Sequence, residues 1–69
     1  MDDLDDLILE ILRDNGLTMP LEWIVDGLEQ RSALPIDKDD VWGRLNGDLQ
    51  AHGVYQADAP SGVVYGIRE

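Results

Sequence analysis

His52-Gly53-Val54-Tyr55-Gln56-Ala57-Asp58-Ala59-Pro60-Ser61-Gly62-Val63-Val64-Tyr65-Gly66-Ile67 fills positions 52–67 of a 69-residue chain and contains two β-type runs. Val54 to Ala57 and Val63 to Ile67 are rich in Val and Tyr, which suit a pleated, half-buried surface. Between them, Asp58 to Gly62 holds a proline and a glycine, the marks of a turn. Val63, Tyr65 and Ile67 alternate at period two and share one face. The expectation is a C-terminal two-stranded β-hairpin.

Upstream the period becomes helical. Val41, Leu45 and Leu49, with Trp42 beside them as a core or core-edge residue, form the buried face of a third helix. Asp37 suits its N-cap, and Ile36 and Val41 hold the two positions of a hydrophobic staple. His52-Gly53 ends it, with a cation-capable ring near the negative pole and a glycine C-cap. A second helix opens at Pro20, where a missing N–H is no loss. Its inner face is Leu21, Ile24, Val25 and Leu28, with Trp23 and Asp26 off that face. The pattern lapses after Glu29, and Pro35 presses Leu34 toward extended geometry.

The first helix runs from Asp3 to Asp14. Leu4, Leu7, Ile8, Ile11 and Leu12 make one stripe, with Leu9 outside it. Asp2, Asp3, Asp5 and Asp6 meet the positive end of its dipole, and Asn15-Gly16 supplies a left-handed stop. The expected fold class is α+β, mainly α: a three-helix bundle followed by the hairpin, one domain over residues 1–69.

The chain carries 15 Asp+Glu against 5 Lys+Arg, a net charge of −10, yet is 43% hydrophobic. That hydrophobic share separates it from disordered acidic tails. Eleven of the acids are Asp, and Lys38 is the one lysine. Short hydrated carboxylates with almost no lysine fit an interior of high salt, where a Debye length of ~3 Å at 1 M screens self-repulsion. With no cysteine there is no disulfide framework and no Cys-based zinc or iron–sulfur site, and His52 alone cannot supply a multi-histidine site. No run approaches the ~20 apolar residues of a membrane span, and the N-terminus does not read as a signal peptide. The expectation is a cytoplasmic protein with no membrane partner, no cofactor and no catalytic site.

The stripe Leu4-x-x-Leu7-Ile8-x-x-Ile11-Leu12 and the second helix ending at Leu28 form one part of a recognisable order. The other part is Val41-x-x-Arg44-Leu45-x-x-x-Leu49-x-x-His52-Gly53-Val54-Tyr55 followed by Gly62-Val63-Val64-Tyr65-Gly66-Ile67. Together they resemble the winged helix-turn-helix family over nearly the whole chain. With the acidic composition, the nearest likeness is to small phage-repressor-like winged-helix proteins of salt-loving archaea. The resemblance implies a third helix that enters the DNA major groove, a wing that touches the backbone or minor groove, and a dimeric, repressor-like regulator of transcription. Two departures stand out. The segment from about Gln30 to Ile36 exceeds the three-to-four-residue turn of the tight motif. The wing loop, Asp58 to Gly62, holds no Lys or Arg.

A step of about 100° per residue turns Asp40, Gly43, Gly47 and Gln50 outward, bordered by Asp39 and Asn46 on one side and Arg44 on the other. Arg, Asn and Gln donors match guanine and adenine edges, so Arg44, Asn46 and Gln50, with Lys38 near the helix start, are the candidate contacts to double-stranded DNA. Asp39, Asp40 and Asp48 would sit close to phosphates. A typical DNA binder makes ~6–10 phosphate contacts, and this chain has five basic side chains in all. The alternatives are a winged-helix protein-interaction module and an acidic nucleic-acid mimic. Convergence of Lys38, Arg44, Asn46 and Gln50 on one ridge favours DNA. An even acidic surface favours the alternatives.

Glycine inside a helix costs ~1 kcal/mol relative to Ala, so Gly43 and Gly47, four apart, mark either a tolerant surface or close approach by a partner. On the second of these readings, Gly43→Glu abolishes partner binding more than it harms folding. Trp23, off the core stripe, covers the wing or forms a contact in a homodimer or with another protein. Asp37, Asp39 and Asp40 fail the calcium-loop pattern, since Trp42 stands where its glycine is required.

Overall fold

The apolar stripe of the N-terminal segment folds as its spacing requires. In the computed structural model, which describes residues 3–33 and 35–68, helix α1 spans Asp3–Asn15 and buries Ile8, Ile11 and Leu12. Asp2 and Leu34, both interpreted above, lie outside the described residues. Gly16 donates its N–H to the Leu12 carbonyl at 3.2 Å and closes the helix. Leu9, off the expected stripe, is also buried, because α1 packs against a second helix on one side and a strand on the other.

Strand β1 is only Met19–Pro20, and helix α2, Leu21–Arg31, follows it directly with Pro20 as its N-cap. Ile24, Val25 and Leu28 form its inner face. Helix α3 is Lys38–Leu45, and the Asp37 side chain caps it by accepting the Asp39 N–H at 2.9 Å. Ile36 packs against the core that holds Val41, as a staple should. A 3-10 helix at Asp48–His52, strand β2 at Val54–Ala59 and strand β3 at Gly62–Ile67 complete the chain.

The third helix is shorter than its periodicity implies. The Trp42 carbonyl accepts both the backbone N–H of Asn46, at 3.1 Å, and the Asn46 side-chain amide, at 2.9 Å. Gly47 then bonds back to Arg44, three residues earlier, so the ladder tightens and stops. Gly47 is therefore no helix-face residue. A Cβ placed on it would stand 2.9 Å from the Gly43 carbonyl oxygen, which makes its glycine a steric requirement of the break. Leu49 is nonetheless fully buried, because the 3-10 segment returns it to the same core. Trp42 departs from expectation as well. It is 54% exposed, since Val41 and Leu45 fill the interior and the next residue lies about 100° further round.

The sheet has three strands rather than two, antiparallel and ordered β1-β3-β2. β2 and β3 pair from Val54↔Ile67 to Ala59↔Gly62, which shrinks the connection to Pro60-Ser61. Beyond the last pair, Arg68 donates its N–H to the Gly53 carbonyl at 2.9 Å. Antiparallel pairs alternate between bonded and non-bonded, so Gly62, Val64 and Gly66 turn their backbone groups toward β2, and Val63, Tyr65 and Ile67 turn theirs toward β1. Pro20 pairs with Val64, a non-bonded position, and its missing N–H costs the ladder nothing. Gly53, at φ +96°, makes the corner into β2, where a Cβ would meet the Arg68 carbonyl oxygen. The sheet adds Met19, Val54 and Tyr65 to a core centred on Ile8, Leu12, Ile24, Leu28, Val41, Leu45 and Leu49.

Candidate functional site

The break after α3 creates a concavity. It is lined by Asp39, Asp40, Gly43 and Arg44 of α3, by Gly47, Asp48 and His52 beyond the break, and by Asp5 of α1. Asp39 and Asp40 are exposed because Asp37 starts the helix with Val41 pointing inward. An added side chain at Gly43 meets nothing within 4 Å, so that position opens onto the cleft.

Arg44 lies within this acidic setting. Its Nη1 donates to Asp5 Oδ1 at 2.9 Å and its Nε to Asp40 Oδ1 at 3.1 Å. The Asp5 side chain is 11% exposed and that of Arg44 24%, so the pair links α1 to α3 in a half-sheltered position. Charge-assisted bonds of this kind are short and directional. They hold the guanidinium against the body of the protein.

The other three candidate DNA contacts are dispersed. Lys38 stands 4.0 Å from Glu22 Oε1 and lines a separate shallow groove with Trp23 and Val63. Asn46 turns toward the sheet, where its amide donates to the Tyr65 hydroxyl oxygen at 3.1 Å. Gln50 is exposed on the 3-10 segment. The structure thus brings Arg44 together with carboxylates rather than with Lys38 and Asn46. Arg31 is likewise engaged, at 3.3 Å from Glu10 and 3.2 Å from Asp14. Trp23 is 61% exposed beside Lys38.

Asp5 is the residue that sequence reasoning misplaced. Read as a first-turn dipole charge, it also stands at i−3 and i−4 from Ile8 and Leu9, on the inner side of α1. That spacing was its one visible signal. Among the described residues, no group of three or more His, Cys, Asp or Glu is arranged to hold a metal ion, and no helix is long and apolar enough to cross a membrane.

No protein-family model matches the chain, and no match was found among curated proteins or solved structures.

Proposed function

We propose that this chain is a non-catalytic winged-helix interaction module whose α3 cleft holds a positively charged segment of a partner protein. The observation that carries the reading is the enclosure of Arg44 by Asp5 and Asp40, with Lys38 on a different groove. With Asp5 and Asp40 engaged by Arg44, Asp39 and Asp48 are the carboxylates the cleft offers. The winged-helix part is supported by the order of three helices and two closing strands, with the 3-10 segment Asp48–His52 carrying the chain from α3 to the corner at Gly53. A duplex approaching α3 would bring phosphates against these carboxylates, the reverse of the Lys/Arg neutralisation on which DNA affinity rests. A cationic peptide meets the same field as an attraction, and a net charge of −10 steers it in.

Titration with a short arginine- and lysine-rich peptide, followed by the fluorescence of Trp23 and Trp42, tests this. Exposed ion pairs contribute about 0.2–1 kcal/mol each. Neutralising Asp39 and Asp48 to Asn should therefore weaken binding about fivefold. Neutralising Asp26 and Glu29 removes the same charge elsewhere and should weaken it much less. Equal effects from the two double variants would reduce the cleft to a non-specific field. The DNA-binding regulator rests on the exposed Gln50 and is read by titrating a duplex in place of the peptide. A specific duplex retained at about 2 M KCl and lost on Gln50→Ala would replace our reading with that one.

A further inference from the structure

The order β1-β3-β2 leaves β2 at the edge of the sheet. The alternation set by the Arg68–Gly53 bond turns the backbone groups of Tyr55, Ala57 and Ala59 toward β3. Those of Gln56 and Asp58 therefore point away from the sheet, and both residues are exposed. Among the described residues, no backbone bond reaches them from the outer side. An open edge of this kind is a template for another strand, and proteins commonly block it with lysine, proline or a bulge. Here the pairing from Val54 to Ala59 is unbroken, with no lysine or proline in the strand.

We propose that β2 pairs with β2 of a second copy, antiparallel about a two-fold axis at Ala57, to form a continuous six-stranded sheet. The edge is self-complementary in that register. Gln56 faces Asp58 of the other copy twice over, which closes four backbone hydrogen bonds from groups that are already outward and exposed. Gln56 and Asp58 also share a face of the sheet, so the Gln56 amide donates to the opposing carboxylate and no two carboxylates stand directly opposite. Ala57 meets its own copy at a non-bonded position, where Cα atoms approach to about 4.5 Å and a small side chain is needed. Pairing one residue further back would instead use Val54, whose backbone is buried. The partner surface is thus the strand edge and not Trp23, and it is independent of whatever the α3 cleft holds.

Each copy carries −10, so the dimer constant should rise with salt as the Debye length falls from ~10 Å at 0.1 M to ~3 Å at 1 M. A peptide held in the cleft by charge should weaken over the same range, so the two readings fail separately. Sedimentation velocity from about 0.1 M to about 2 M KCl reads the association. The chain is short enough for total synthesis, and N-methylation of Gln56 removes one outward N–H per copy with every side chain unchanged. It should weaken the dimer about tenfold or more. Since N-methylation can also disturb the hairpin, the second measurement is disulfide capture in a chain that has no natural cysteine. Ala57→Cys places two sulfurs across the axis within bonding range and should cross-link quickly under mild oxidation. Ala59→Cys and Ala33→Cys should cross-link slowly. A monomer at every salt concentration, or equal cross-linking at the three positions, overturns the proposal.

Discussion

Arg44 shows how much a single side chain can change meaning between a sequence and a structure. Its spacing from Asp40, four residues back on one helix, is visible in the sequence and gives the expected ion pair. Its second partner, Asp5, is 39 residues away and comes into reach only when α1 and α3 dock on a common core. No local pattern carries that contact. Removing the guanidinium leaves a carboxylate 11% exposed with its strongest partner gone. Breaking a fully buried pair costs ~3–5 kcal/mol and an exposed one ~0–1, so a half-sheltered pair falls between. Arg44→Met should destabilise the fold by about 2 kcal/mol in urea unfolding. In an Asp5→Asn background, the same change should cost well under half as much. Equal costs in both backgrounds would show that Arg44 acts through its other contacts.

At the scale of elements, α1, α2 and the last two strands were legible because each carries its own period, though the sheet those strands enter has a third member. The end of α3 was not. Val41, Leu45 and Leu49 keep a helical spacing across the break, since the 3-10 segment returns Leu49 to the interior. The signal that competed was Asn46-Gly47, whose amide takes the Trp42 carbonyl and whose glycine clears the Gly43 oxygen. β1 was hidden for a different reason. Two residues, one of them proline, hold no alternation to read, and the strand exists because β3 offers a non-bonded position opposite Pro20. An eight-residue α3 is well below the ~12–15 residues at which isolated helices become even marginal, so its cap and its two buried anchors must hold it. Asp37→Ala should therefore lower stability by about 1 kcal/mol, and Asp37→Asn by much less. Hydrogen exchange should speed first at the amides of Asp39 and Asp40. Unchanged exchange there would mean that packing of Val41 and Leu45 alone sets the helix start.

For the whole molecule, charge and packing pull in opposite directions, and magnitudes decide between them. The ion pairs around Arg31, Lys38 and Arg44 are mostly exposed, and added salt weakens each by a fraction of its ~0–1 kcal/mol. Against them stands the mutual repulsion of ten uncompensated negative charges held within a radius of gyration of 10.9 Å. That distance is close to the Debye length at about 0.1 M, so in dilute buffer nearly every carboxylate feels the others. At about 1 M each feels only its immediate neighbours. With ten charges in excess, the loss of repulsion is expected to dominate. The urea midpoint is expected to rise with KCl, by an amount of order 1 kcal/mol in stability, with the denaturant slope unchanged. Asp26→Lys with Glu29→Lys, both exposed on α2, should raise stability in dilute buffer and flatten the response to salt. A midpoint that stays level or falls as KCl increases would mean that the ion pairs outweigh the repulsion. The acidic surface would then serve recognition alone and not the fold's tolerance of salt.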